Sequence, residues 1–168
     1  MHWIDNMKTG VDCIGISTSF YCHDEKGKWL LHKRSKNCRD EVGTWDSGGG
    51  KLEFGLTLEE NVLKEIKEEY GCMAIIERVL PAITLLRSTS SGITTHWIVI
   101  PFILLIRNIE INNVKRGDEE KMEEIGWFSF ANLPHPLHSG FQKTTTLHKN
   151  IFFPINILGC TPYTKITL

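Results

Sequence analysis

Three glutamates, Glu65, Glu68 and Glu69, stand at i, i+3 and i+4 in the stretch NVLKEIKEEYG. On a helix that spacing turns all three carboxylates to one face. Like charges so placed cost an isolated helix roughly 0.2–0.5 kcal/mol per pair. Convergent oxygen donors suit Mg²⁺ or Mn²⁺, hard cations that take carboxylate and water ligands and bridge to phosphate. Just upstream lie Gly48, Gly49 and Gly50, where the lack of Cβ lets backbone come close to a ligand. Either feature alone is weak, because a Glu/Lys-rich helix face is most often simply solvated. Their fixed order is what carries information.

The elements that must position these groups are readable around them. Residues 57–70 predict a helix: Thr57 with Glu60 forms a capping-box pattern, and Gly71 is placed to end the helix in a left-handed cap. Val62, Leu63, Ile66 and Tyr70 form its apolar stripe. Val11–Cys22 reads as a strand, Asp24–Lys28 as a turn, and Trp29–Arg34 as a second strand of a hairpin. Residues 35–44 are loop-like, and the glycines of 45–50 argue against a regular strand interior there. Apolar, β-rich stretches at 73–86 and 95–107 follow, with Pro101 suggesting an edge position or a bulge. A charged loop covers 112–123, a short strand Ile125–Phe130, a rigid turn Leu133–Leu137, and a last helix 139–151. The tail from 152 gives no clear signal. Mixed strands with at least two helices indicate an α/β or α+β fold.

The 168 residues suit one domain, 1–168, and 41% hydrophobic with 23% charged residues is an ordinary globular balance. A net charge of −1 and a pI near 6.6 leave no broad basic face, so duplex nucleic acid is not an expected partner. Five scattered cysteines without a CxxC read as reduced thiols in a cytoplasmic protein. The N-terminus lacks a signal-peptide core, and the longest apolar run, Trp97–Ile106, is too short to span a membrane. No histidine pair has zinc-site spacing with a third ligand.

Residues 48–72, GGGKLEFGLTLEENVLKEIKEEYGC, resemble the Nudix box, G-x5-E-x7-R-E-U-x-E-E-x-G-U, with U aliphatic. The match runs from Gly50 to Cys72: Glu65, Ile66, Glu68, Glu69 and Gly71 fall on the motif. Trp45, the Ile125–Phe128 strand and the Asn132-Leu133-Pro134 turn extend the likeness. Leu56 stands where the family has Glu, Lys64 where it has Arg, and Cys72 where it has an aliphatic residue. In relatives that Glu and Arg can brace the loop against the helix. Leu56 cannot accept a hydrogen bond and Lys64 lacks the guanidinium fork.

The resemblance implies an α/β/α sandwich with a mixed central sheet. It implies a pyrophosphohydrolase that cleaves the phosphoanhydride of a nucleoside diphosphate linked to another moiety, using Mg²⁺ or Mn²⁺. Glu68 and Glu69 are the expected first metal ligands, Glu65 a further ligand or general base, and the Gly50 carbonyl an additional ligand. Glu65 and Glu69 are the candidate catalytic pair. Asp118, Glu120 and Glu124 are candidates for an extra acid that this reading does not separate. Arg34, Glu53 and Trp97 are the candidate substrate-binding residues. At most one of Trp45, Trp97, Trp127 and Phe128 is expected to stack on a base, and His96, His135 and His138 stay ambiguous. Two other readings remain: a catalytically weak nucleotide-binding or sensor module, favoured by Leu56, and an RNA-end-processing enzyme, disfavoured by the charge. Either a monomer or a homodimer fits.

Overall fold

The computed structural model describes residues 7–88 and 92–152. Cys160 and the whole tail from 153 onward, with its expected lack of regular structure, lie outside them. Strands β1 (Gly15–His23) and β2 (Lys28–Arg34) form the expected hairpin, with Cys22 opposite Leu30 and His23 opposite Trp29. The Asp24 carboxylate stabilises the turn, accepting the N–H groups of Lys26 and Lys28 at 2.8 and 2.7 Å. β1 begins four residues later than its composition suggested. Thr9–Cys13 instead makes a small turn that bonds back through the His96 N–H to Gly10 O, 2.7 Å.

The glycine segment is strand after all. β3 (Trp45–Asp46) pairs β2, and β4 (Gly48–Lys51) pairs β1 antiparallel, so 45–51 fills the gap where β1 and β2 part. Glycine is tolerated there because of what lies beside it. At Gly49, φ is +153 and any Cβ would strike the Thr18 carbonyl.

Helix α1 (Leu58–Tyr70) follows, then β5 (Ile75–Val79), β6 (Ile83–Ser88), β7 (Thr94–Leu105), the short α2 (Asn108–Ile111), β8 (Met122–Ser129), α3 (Ser139–Leu147) and α4 (Lys149–Phe152). The last helix is thus broken, with His148 between its parts. The eight strands form one mixed sheet in which β1 and β7 run parallel and the other pairs antiparallel. Pro101 does not mark an edge. β7 is central, pairing β1 on one side and β6 then β5 on the other. Pro101 sits where the partner changes, its carbonyl accepting the Leu80 N–H at 2.8 Å, so its missing N–H breaks no continuous ladder on that side.

Alternation along the strands supplies two large cores, beside a smaller cluster of Ile83, Leu85 and Val99. Phe20, Cys22, Phe102 and Leu104 point to α1 and meet Val62, Ile66 and Tyr70. Leu63, also expected on the apolar stripe, is exposed. Tyr21, Leu31, Trp45 and Ile103 point the other way, against Phe141 and Phe152. Burying each large aliphatic side chain contributes about 1.5–3 kcal/mol. The result is the α/β/α sandwich with α1 on one face and α3–α4 on the other.

Candidate functional site

Helix α1 starts and stops where its sequence says. The Glu60 N–H donates to Thr57 Oγ1 (3.2 Å), and the Thr57 N–H donates to Glu60 Oε2 (2.9 Å). Gly71 ends the helix at φ +69. Its last carbonyls are covered by a later loop: the Lys115 N–H donates to Tyr70 O (3.0 Å) and the Gly117 N–H to Glu69 O (2.7 Å). A Cβ at Gly117 would collide with the Glu68 carbonyl, so only glycine lets the loop come this close.

Glu69 is largely enclosed, and its Oε2 accepts the Gly49 N–H at 3.1 Å. Burial raises its pKa to about 8 despite that hydrogen bond, with Glu65 adding to the rise. Burial also raises the Glu65 pKa, Lys64 working against it. A Cβ at Gly48 would strike the Phe20 ring as well as Glu69 Oε2, and one at Gly50 the Glu65 carboxylate. The glycines therefore make room for these two acids.

Glu68 is differently placed. Its Oε2 takes a hydrogen bond from Lys64 Nζ at 2.6 Å, and the same ammonium lies 3.1 Å from Glu53 Oε1. Glu53, expected to bind substrate, is instead an ion-pair partner of Lys64 and lines neither cavity described below. Its backbone N–H donates to Asn61 Oδ1 (3.0 Å), and the fully buried Asn61 donates in turn to Thr18 Oγ1 (2.9 Å).

Two of the three candidate late acids, Asp118 and Glu120, line the same cavity as the helix glutamates. Glu65, Glu68 and Glu69 share a cavity of about 440 Å³ with Asp118, Glu119, Glu120 and Lys121. Glu124 is on β8, within 3.4 Å of Lys33, away from this cavity. Lys121 pairs with Asp118 at 2.8 Å and holds its carboxyl below the usual range. The loop is tied to residues 35–37 by the Ser35 hydroxyl and by Asn37 Nδ2, both donating to the Glu120 carbonyl.

A second cavity, about 510 Å³, opens beside the glycine strand and shares Glu69, Asp118 and Lys121 with the first. Ile83, Leu85, Val99 and Trp97 give it an apolar wall. Trp97 lies across Gly10 and Gly15, either of which would clash with the ring if it carried a Cβ. Its buried Nε1–H meets no acceptor among the described residues. Trp45 and Phe128 pack together in the core at 5.0 Å, and Trp127 packs against the α1 core.

Arg34 lines this cavity but its guanidinium is taken up: NH2 lies 2.7 Å from Asp40 Oδ1 and NH1 3.7 Å from Asp46 Oδ2. Arg87, unmarked in the sequence, joins the same network at 3.6 Å from Asp40 and 3.1 Å from Glu41. His138 completes it, its Nδ1 3.1 Å from Asp46 and its Nε2 2.8 Å from Arg87. Burial raises the Asp46 pKa against the pull of His138 and Arg34. Residues 40, 46, 87 and 138 have no shared spacing, so no local signal announces them. His96 and His135 stand outside this network.

The NUDIX domain family matches residues 15–147. The chain belongs to the Nudix family. It is 36% identical to the ADP-ribose pyrophosphatase of Methanocaldococcus jannaschii over 111 residues, 66% of this chain and 60% of that protein. It is 28% identical to the mouse 8-oxo-dGDP phosphatase NUDT18 over 124 residues, 74% of this chain and 35% of that protein. The chain thus spans about a third to three fifths of these curated relatives. Among solved structures it is similar to a MutT protein of Methanosarcina mazei, with TM-score 0.67 and 24% identity, covering 82% of this chain and 94% of that one. A Burkholderia pseudomallei MutT NUDIX hydrolase gives 0.66 and 24%, covering 79% and 96%. At that identity the structures show the shared fold.

Within the Nudix box, which departs from the motif at Leu56 and Lys64, the Glu53 carboxylate lies 3.1 Å from Lys64, three residues upstream of the motif glutamate. The donor set fits a hard divalent cation: carboxylates of Glu65, Glu68 and Glu69 on one helix face, brought against backbone that only glycine allows. No three His, Cys, Asp or Glu side chains among the described residues are already gathered as a ligand set. Among the described residues, no helix is long and apolar enough to cross a membrane.

Proposed function

We propose that this chain is a hydrolase that cleaves the phosphoanhydride of a nucleoside diphosphate linked to another group, with Mg²⁺ or Mn²⁺ as cofactor. One observation carries the reading: Glu69 sits where the acidic cavity meets the larger, partly apolar one. A diphosphate at that junction would have carboxylates on one side and room for the remainder of the molecule on the other. Glu68 and Glu69 would hold the cation, with Glu65 and the Gly50 carbonyl as further ligands. When bound, the cation neutralises phosphate oxygens and acidifies the attacking water. Glu65, partly enclosed with a raised pKa, is the group placed to take the water's proton. Asp118 and Glu120 are the extra acids beside it. Trp97 lines the wall against which a planar base would rest, and Lys51 and Arg39 line the same cavity. Arg34 and Arg87 shape this wall through Asp40 rather than offering a free cation to phosphate.

The relatives set the first substrates to try, ADP-ribose and 8-oxo-dGDP, within a wider nucleotide panel. The wild type with mM Mg²⁺ or Mn²⁺ at alkaline pH is expected to release monophosphate from at least one member. Glu69→Gln should lower that turnover by at least about 100-fold. A panel with no cleaved member sinks the hydrolase reading. Thermal stabilisation by a nucleotide without turnover would favour the binding-module alternative, which the Lys64–Glu68 bond also favours. Cys13, Cys22, Cys38 and Cys72 are all unpaired, which supports a reducing compartment such as the cytoplasm.

A further inference from the structure

The Lys64 ammonium touches two carboxylates of different kinds. Glu68 faces the acidic cavity, whereas Glu53 lies outside it. Lys64 cannot serve as sole counter-ion of Glu68 and also leave that carboxylate to a cation without losing its own partner. Glu53 removes that conflict. Its side chain is about half exposed, but its backbone is anchored: its N–H donates to the buried Asn61, which is bonded to the buried Thr18. Leu56 N–H donates to Glu53 O at 3.3 Å, closing the turn that presents the carboxylate. Both side chains are partly exposed, so the pair is on the scale of a surface ion pair, and the backbone bonds fix where the Glu53 carboxylate starts from.

We infer that Glu53 and Lys64 act together as positioning residues, Glu53 retaining the Lys64 ammonium so that Glu68 is released to a divalent cation. This rests on the metal-site reading above. Without cation, Lys64 bridges both acids and offsets the repulsion among Glu65, Glu68 and Glu69. With cation, Glu68 turns inward and Lys64 stays with Glu53. The brace expected at position 56 is thereby moved to 53, and it tunes cation affinity as well as loop position.

The test is a double-mutant cycle on Mn²⁺ binding, read by calorimetry and by the spin-resonance signal of free Mn²⁺, with no substrate present. Glu53→Gln leaves Lys64 only Glu68 and should weaken Mn²⁺ binding about threefold, the scale of a surface ion pair. Lys64→Gln removes the competitor and should tighten it by a similar factor. In the Lys64→Gln background, Glu53→Gln should change binding by less than about 1.5-fold; in a Lys64→Arg background its effect should persist. Equal weakening in all backgrounds would make Glu53 a mere remote charge and overturn the inference, as would no weakening in any. If the wild type itself binds no Mn²⁺, the metal-site reading fails, and this inference falls with it.

Discussion

Replacing Asn61 tests whether the chemistry-bearing loop is anchored from inside the fold. Asn61 is fully buried, accepting the Glu53 N–H at 3.0 Å and donating to Thr18 Oγ1 at 2.9 Å. Its amide orientation is fixed by chemistry, because a backbone N–H must meet the oxygen. Asn61→Leu keeps the branched side-chain skeleton, with some added volume, and removes both bonds. Each net bond is worth about 1 kcal/mol, and a stranded buried group about 1–3 kcal/mol. Glu53 is exposed, so water can reach its N–H. Thr18 is 1% exposed, so its hydroxyl stays stranded. Leucine's better helix propensity returns a few tenths of a kcal/mol. The expected net loss is about 2–4 kcal/mol, read by urea unfolding with unchanged m value. In a Thr18→Val background the same change should cost about 1 kcal/mol less, because no hydroxyl is left without a partner. A loss under about 0.5 kcal/mol, or identical losses in both backgrounds, would refute the anchoring argument.

Three further outcomes are expected. Burial, with Arg34 adding, lowers the His32 pKa to about 3, and its Nδ1 lies 2.9 Å from the Tyr70 hydroxyl. The unfolded chain takes up a proton below about 6.5 that the folded chain refuses, so this stability is complete above 6.5 and drains away as pH falls toward 3. His32→Gln should flatten the stability profile between pH 6.5 and 5; an unchanged slope there contradicts the neutral buried histidine. Gly50→Ala drives a methyl group into the Glu65 carboxylate and should cut kcat about 100-fold while unfolding by urea shifts far less. Trp97→Ala should raise KM for a cleaved nucleotide about tenfold with kcat nearly unchanged, and Gly15→Ala, which pushes on the ring, should shift KM the same way. A fall in kcat alone would remove Trp97 from the substrate wall.

What could be read in the chain was what is local. Helix α1 is specified by contacts within four residues, so Thr57, Glu60 and Gly71 announced both its ends. The hairpin of β1 and β2 is local for the same reason. Glycine and proline misled because their usual aversion to strands is a statement about isolated ladders. Gly50 is in a strand where the Glu65 carboxylate needs the space, Gly48 where the Phe20 ring and Glu69 do, and Pro101 is central because the neighbouring strand changes there. Arg34 was a candidate for substrate phosphate, but Asp40 and Asp46 from the following loop and strand occupy its guanidinium, and Arg87 joins them from far along the chain.

Glu53 and Leu56 give the sharper case. A motif specifies a residue type at a position, whereas the fold requires a carboxylate within reach of residue 64. Between those two demands lies the turn geometry of residues 53–57, and here a backbone bond to Asn61 and the Glu53–Leu56 turn aim a carboxylate from another position. Loss of the motif glutamate therefore predicts loss of the brace only if nothing else can reach Lys64. The 3.1 Å contact places the Glu53 carboxylate within that reach, and on the inference above the departure that argued for a weakened site becomes a change in which acid performs the bracing. The same contact ties the brace to Glu68, so in this chain the stiffness of the loop and the availability of a cavity carboxylate are set by one ammonium group.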